Sequence, residues 1–93
     1  MKKPTILAVQ GGFYFFGDEI ASSQPGYICL KDAAMFGGFA GGKGLPGVAR
    51  GDAAATVTLD RFADGETITF PETAVFAIMP SVDLYKFKGS NLR

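Results

Sequence analysis

The sequence predicts an all-β protein, a small and strongly bent barrel of five to six short antiparallel strands with a glycine-rich insertion loop. Helices are disfavoured because no long segment keeps a 3.6-residue apolar period, and 13 Gly and 5 Pro interrupt every candidate. Short apolar runs separated by turn residues favour strands instead. A barrel is expected because closure removes exposed strand edges. The 93 residues suit a single domain over residues 1–93.

The first part of the chain predicts three strands. A short apolar run, Thr5 to Gln10, is followed by Gly11-Gly12, and paired glycines tolerate the positive φ of a hairpin turn. The aromatic-rich segment Phe13 to Ile20 predicts the second strand, in which Gly17 indicates a bulge or a sharp bend. Tyr27 to Phe36 predicts the third strand.

The segment that follows is unusual. Gly37 to Asp52 is so rich in glycine that we expect neither a regular strand nor a helix there. Loops of this length inside a compact domain are often functional or disordered. The remaining elements are predicted from period-2 alternation and short apolar runs: a half-buried strand containing Ala55, Val57 and Leu59, short strands at Thr67–Phe70 and Val75–Met79, and an edge strand at Leu84–Phe87 in a C-terminal tail of residues 81–93.

The composition argues against an enzyme and against a broad nucleic-acid binder. The absence of His removes the usual general base and the commonest metal ligand, so we expect no catalytic residue, no metal and no cofactor. Formal net charge is zero, whereas proteins that grip the phosphate backbone are usually basic. Cys29, the only cysteine, is expected in or near the core. No stretch approaches the ~20 apolar residues of a membrane span, so a cytoplasmic protein without a membrane partner is the default.

Two motifs resemble those of the Sm-like fold, and within it the Hfq-like proteins. Gly12 to Gly17, followed by Tyr27 to Ala33, is similar to the first Sm motif, and Phe70 to Ser81 is similar to the second. The chain also resembles small uncharacterised phage and prophage proteins, which place a Gly-Leu phrase before a Thr-x-Leu-Asp strand. Here those phrases are Gly44-Leu45 and Thr58 to Asp60.

The resemblance implies an Sm/SH3-like barrel and a ring-like homo-oligomer. It implies RNA binding more weakly, because Ala21-Ser22-Ser23 and Glu72-Thr73 replace residues that such proteins use to hold RNA. If the chain is encoded by a phage, its cytoplasm is that of the host cell.

The candidate ligand site lies on the glycine-rich segment. Successive glycines expose backbone N–H groups that can form an anion-binding nest, two cations add charge, and two aromatic rings could stack on a base. The alternative is a mobile or oligomer-packing loop whose glycines only avoid strain. The candidate ligand-binding residues are Phe36, Phe39, Gly41, Gly42, Lys43, Gly44 and Arg50.

Two known phosphate-binding patterns occur in this segment without their usual context. Gly42 to Gly47 matches G-x-G-x-x-G, but Pro46-Gly47 is not expected to open the helix that a dinucleotide site needs. Gly37 to Lys43 matches most of a P-loop, yet Gly44 stands where a magnesium-binding Ser or Thr belongs. We therefore expect neither a dinucleotide site nor a P-loop.

Two other clusters have simpler interpretations. The aromatic run Phe13 to Phe16 could form a stacking platform, but alternation sends two rings to each face of a strand and favours core plus subunit interface. Asp60, Asp64 and Glu66 could form a metal or acid–base site, but a solvated turn is favoured.

The leading hypothesis is a non-enzymatic, homo-oligomeric binding protein for a phosphate-bearing small molecule, such as a nucleotide or a cyclic oligonucleotide signal. Given the phage resemblance, its use would be to sequester a host defence signal as a counter-defence protein. Two alternatives stay open: an Sm-like RNA binder, and a structural or inhibitory module that docks on another protein through its aromatic surface.

Overall fold

The computed structural model describes residues 2–63 and 65–93. Within those residues no helix is long and apolar enough to cross a membrane. In chain order the elements are β1 (Pro4–Val9), β2 (Phe13–Ile20), β3 (Tyr27–Ala40), α1 (Leu45–Arg50), β4 (Thr56–Arg61), β5 (Thr67–Pro71), a 3₁₀ turn (Glu72–Ala74), β6 (Val75–Pro80) and β7 (Ser90–Leu92).

All the strands in the described part of the chain belong to one sheet, in the order β6-β1-β2-β3-β4-β7, with β5 paired to β3. The 14-residue β3 is the longest strand of this sheet. Its first half pairs with β5, and its second half pairs with β4. β5 pairs only with β3 and β6 only with β1 in the described residues, so the sheet is open. The all-β prediction is therefore confirmed, whereas the hydrogen-bonded pairing does not close the sheet into a barrel.

The bulge predicted at Gly17 is present. The register between β2 and β3 shifts between Phe16 and Asp18. A Cβ on Gly17 would lie 3.0 Å from both the Leu30 Cβ and the Lys31 carbonyl oxygen. Glycine at this position thus allows β3 to approach β2 closely where the sheet bends.

The core lies on both sides of the sheet. Neighbouring residues of β1 are both fully buried but point to opposite faces: Ile6 packs with Phe16, Val57 and Leu59, and Leu7 packs in the second cluster. The first face is covered by α1 and by residues 81–93, through a set of apolar side chains: Leu45, Val48, Ala49, Leu84, Tyr85 and Phe87. The second cluster contains Leu7, Val9, Ile28, Leu30, Ala33 and Phe70. The prediction that Cys29 is buried is confirmed.

The expectation that Gly37 to Asp52 forms a loop is wrong. β3 continues to Ala40, and Leu45–Arg50 forms a short helix. Proline is tolerated in the first turn of a helix, where its missing N–H has no partner to lose. The helix ends at Gly51, whose left-handed φ of 72° ends it in a standard way, and Val48 anchors it in the core. The high glycine content argued against both the strand extension and the helix, because packing rather than intrinsic propensity stabilises these two elements.

The C-terminal segment also differs from the prediction. Leu84 to Phe87 forms a turn rather than an edge strand, and residues 81–93 are not a free tail, because Leu84 is fully buried. Ser90–Leu92 forms β7, which pairs in parallel with β4. Arg93 closes this pairing, donating its backbone N–H to Leu59 at 2.8 Å and accepting from Arg61 at 2.9 Å. β7 thereby provides hydrogen-bond partners for the backbone groups at the edge of β4, which would otherwise be unpaired.

Candidate functional site

A bulge in β3 brings the two predicted stacking residues onto one face of the sheet. The register between β3 and β4 shifts between Phe36 and Gly38, so that Phe36 stands opposite Leu59 and Phe39 opposite Val57. Without the bulge, residues three apart on a strand would point to opposite faces. Their ring centroids are 6.0 Å apart in an edge-to-face arrangement.

A third ring completes this group. Tyr14 of β2 lies 6.0 Å from Phe36 and 5.7 Å from Phe39, measured between ring centroids. Phe39 is 37% exposed, while the other two side chains are half-buried. We call Tyr14, Phe36 and Phe39 the aromatic triangle. Phe39, the most exposed of the three, is the penultimate residue of β3 and lies close in sequence to the β3–α1 connection.

The sequence did contain a signal for Tyr14. It lies two residues before buried Phe16 and therefore shares its face of β2. Strand alternation could place Tyr14 on that face, but the bulge at Gly37 was needed to bring Phe39 there as well. Of the four aromatic residues in this run, Phe16 is buried, Phe15 packs on the second cluster, and Phe13 is 54% exposed.

The four residues after β3 form a tight turn into α1. Gly41, Gly42 and Gly44 all have positive φ, at 76°, 56° and 72°. The Gly44 N–H donates to the Gly41 carbonyl at 3.2 Å, so this donor already has a partner. A Cβ on Gly41 would collide with the Ala54 carbonyl oxygen. Glycine is thus required at position 41 by the close packing as well as by the positive φ. Both indicate a well-packed turn.

The two predicted cations are differently placed. Lys43 is exposed in the turn and forms no ion pair with any described residue. Arg50 is the last residue of α1, seven positions beyond Lys43 in the chain. Its guanidinium lies 3.3 Å from the Asp52 carboxylate. Lys43 thus follows directly on the end of β3, whereas Arg50 lies at the other end of α1 with its guanidinium paired to Asp52.

The G-x-G-x-x-G pattern does lead into a helix, contrary to the expectation for Pro46-Gly47. A dinucleotide site nevertheless requires a βαβ unit with parallel strands. β3 and β4, which flank α1, are antiparallel. The P-loop pattern is also excluded, because Gly37 to Ala40 belong to β3, with Gly38 to Ala40 paired to β4, and do not form a phosphate loop.

The acidic group near the β4–β5 connection is engaged in local structure. Asp60 accepts two hydrogen bonds from the Arg93 guanidinium, at 2.8 and 3.1 Å. Glu66 accepts from the backbone N–H of Ala63 at 3.2 Å. Asp64 lies outside the described residues. Among the residues that are described, no group of three or more potential metal ligands is found.

One titratable side chain has a strongly altered environment. Burial raises the pKa of Tyr85 to about 12, although the nearby Arg61 guanidinium acts in the opposite direction. The Tyr85 hydroxyl donates to the backbone carbonyl of Asp32, and Arg61 lies 4.9 Å from its ring centroid. This group ties residues 81–93 to β3.

The chain matches no protein-family model, and no curated protein is similar enough to count as a relative.

Proposed function

We propose that this chain is a non-enzymatic binding protein for a phosphate-bearing small molecule, a nucleotide or a cyclic oligonucleotide, held at the end of β3. The observation that carries the proposal is the bulge at Gly37, which aligns Phe36 and Phe39 with Tyr14 on one face of the sheet; the exposed Lys43 follows Phe39 by four residues. A base would stack on the exposed Phe39 ring, and Lys43 would attract the phosphate. Base–aromatic stacking contributes about 1–3 kcal/mol per base.

The turn between β3 and α1 supports the phosphate end of this site. Glycine residues let a ligand approach the backbone closely, and the Gly42 N–H belongs to the same turn as Lys43. Arg50 is a weaker candidate for binding the phosphate, because it lies at the far end of α1 and its guanidinium is already paired with Asp52. The pair is exposed, however, and exposed pairs are worth only about 0–1 kcal/mol, so a phosphate could displace Asp52.

Calorimetric titration with mono-, di- and cyclic nucleotides tests the proposal. Micromolar binding that falls at least fivefold in Lys43→Ala is expected, with a smaller loss in Arg50→Ala. Absence of binding at millimolar ligand, or undiminished binding in the double variant, would contradict it. Short RNA that binds while free nucleotides do not, with a steep salt dependence, would favour the RNA-binding alternative.

The proposal includes kinship with Sm/SH3-like small barrels and a homo-oligomeric state. The second motif lies on a short strand, a tight 3₁₀ turn and a strand ending in Pro80, which supports the kinship. Large apolar side chains exposed in several places, such as Phe13 at 54%, supply surface for subunit contacts. Native mass spectrometry would give the subunit number, and a strictly monomeric protein at 100 µM would remove the oligomer from the proposal.

The biological use proposed is sequestration of a signal nucleotide in the host cytoplasm by a phage-encoded protein. A protein that sequesters a signal nucleotide must bind it without degrading it. Ligand recovered intact after denaturation of the complex would agree with sequestration, whereas recovery of a cleaved product would identify an enzyme instead.

A further inference from the structure

A cleft of about 580 Å³ lies at the opposite end of the sheet from the proposed nucleotide site. It is lined by residues from the end of β2, the start of β3, the 3₁₀ turn and β6. Its floor is Ile28 and Val75, which belong to or pack on the second core cluster. Volumes of this size are typical of ligand-binding clefts.

The walls of the cleft combine polar groups with several large apolar side chains. Four of its side chains are large, apolar and exposed: Phe76 at 73%, Ile78 at 50%, Tyr27 at 41% and Ile20 at 40%. An exposed apolar patch with a polar rim marks an interaction site. The nucleotide proposal gives this patch no role.

The position of Phe76 follows from a local irregularity in β6. In the pairing with β1, Ala77 stands opposite Ala8 and Val75 opposite Val9, so Phe76 is the extra residue of a bulge. Bulges on edge strands redirect side chains. Here the bulge turns a large aromatic ring outward at the mouth of the cleft.

The charge of the cleft has one sign. Two carboxylates line it, Glu19 and Glu72, and no Lys or Arg in the described part of the chain does. Glu19 is paired with Lys3 at 3.4 Å, but Glu72 is exposed and has no ion-pair partner among the described residues. Carboxylates that share a cleft with the exposed rings of Tyr27 and Phe76 provide a suitable environment for a cation, which is attracted both by negative charge and by the aromatic quadrupole.

We propose that this cleft binds an extended basic segment of a partner protein, with an Arg or Lys side chain directed at Glu72 and apolar neighbours against Ile20 and Ile78. The outer edge of β6 is unpaired in the described structure, so the segment could add to the sheet as a further strand. A second copy meeting the same surface across a two-fold axis would bring two unpaired Glu72 carboxylates together, which disfavours self-association here. This inference is independent of the nucleotide proposal.

Fluorescence anisotropy with two labelled peptides tests the inference. The first alternates arginine with valine over six residues, and the second has glutamate in place of arginine. The arginine peptide is expected to bind at least tenfold more tightly than the glutamate peptide. Equal affinities would overturn the proposal.

Two variants locate the binding. Glu72→Gln should weaken the arginine peptide three- to tenfold, and Phe76→Ser by tenfold or more, whereas Glu66→Gln removes the same charge outside the cleft and should have no effect. Because both cleft side chains are exposed, the variants should keep the wild-type circular dichroism spectrum and melting temperature. Loss of affinity in Glu66→Gln equal to that in Glu72→Gln would show that the peptide responds only to overall charge, against the proposal.

Light scattering separates the partner from a second copy. If Phe76→Ser lowers the molecular mass of the particle and the wild-type protein does not bind the arginine peptide, the cleft is a subunit interface and the proposal is wrong. Nucleotide titration of the same variants should remain at the wild-type affinity, so failure of either proposal can be recognised without the other.

Discussion

Tyr85 donates a hydrogen bond from its hydroxyl to the backbone carbonyl of Asp32, a residue 53 positions earlier in the chain. Asp32 has a positive φ of 53° where the two halves of β3 meet. Its side chain accepts from the Gly65 N–H at 2.8 Å, and its backbone N–H donates to the Glu66 carbonyl at 3.1 Å. The irregular joint in β3 is therefore held both by the β4–β5 connection and by the C-terminal segment.

Replacing Tyr85 by Phe should destabilise the protein by about 1 kcal/mol, because the Asp32 carbonyl loses a part-buried donor while the ring packing is retained. Chemical denaturation with a two-state fit measures the effect. Tyr27→Phe is the matched control, since Tyr27 is 41% exposed and its hydroxyl has no hydrogen-bond partner among the described residues. Equal stability of Tyr85→Phe and Tyr27→Phe would show that the Asp32 bond contributes nothing.

The same tyrosine predicts a pH dependence. Burial raises the Tyr85 pKa from 10.0 to about 12, so between these values the folded state holds a proton that the unfolded state has released. The contribution of this residue to stability is complete below pH 10 and declines as the pH rises toward 12. Denaturation midpoints at pH 8 and pH 11 should differ less in Tyr85→Phe than in the wild-type protein. A decline of the same size in both would assign the alkaline transition to other groups.

Gly17→Ala should destabilise the fold by about 1–3 kcal/mol, the range for overpacking a tight site. The added methyl group would lie 3.0 Å from the Leu30 Cβ and the Lys31 carbonyl, both in the bent part of β3. Gly38→Ala is the control, because a Cβ at Gly38 would have no atom within 4 Å and the φ of this residue is not in the left-handed region. Thermal unfolding should show a lower melting temperature only for Gly17→Ala, and similar melting temperatures for both variants would contradict the packing argument.

The β strands were predictable from sequence where side-chain alternation determines them, and less so where tertiary packing does. Val57 and Leu59 alternate with polar residues and are buried as expected. The helix α1 was not predictable, because its stability comes from burying Val48 rather than from helix propensity. The pairing of β7 with β4 was missed because three residues carry almost no periodic signal.

The candidate site was likewise predictable from sequence only in part. Phe36 and Phe39 could be chosen from sequence as aromatic neighbours of a glycine-rich segment, but their common face depends on a bulge whose position only the strand register reveals. Gly37 is also packed against the Asp60–Arg93 ion pair, since a Cβ there would lie 2.6 Å from an Arg93 guanidinium nitrogen. Arg93 thus lies against the bulge, a long-range relationship that local patterns do not contain.

Removal of residues 90–93 should therefore weaken the protein and promote its aggregation. The truncation deletes β7, exposes the β4 edge at Val57 and Leu59, and removes the guanidinium that holds Asp60. Size-exclusion chromatography at increasing concentration measures the aggregation, and Arg93→Ala separates the two effects. We expect Arg93→Ala to cost only about 0–1 kcal/mol, because the ion pair is exposed, and to remain unaggregated. Equal aggregation of both variants would mean that the ion pair, rather than the strand, protects the edge.

Phe39→Ala should weaken nucleotide binding more than it weakens the fold. Phe39 is 37% exposed and makes edge-to-face contacts with Tyr14 and Phe36, so truncation removes its ring at modest cost in stability. Loss of about 1–3 kcal/mol of stacking corresponds to a roughly five- to 150-fold higher Kd. Phe62→Ala is the matched control, because Phe62 is equally exposed at 37% and lies outside the aromatic triangle. Calorimetric titration of both variants decides the matter: an unchanged Kd in Phe39→Ala would remove the aromatic triangle from the binding site, whereas a rise confined to Phe39→Ala would place the base on its ring.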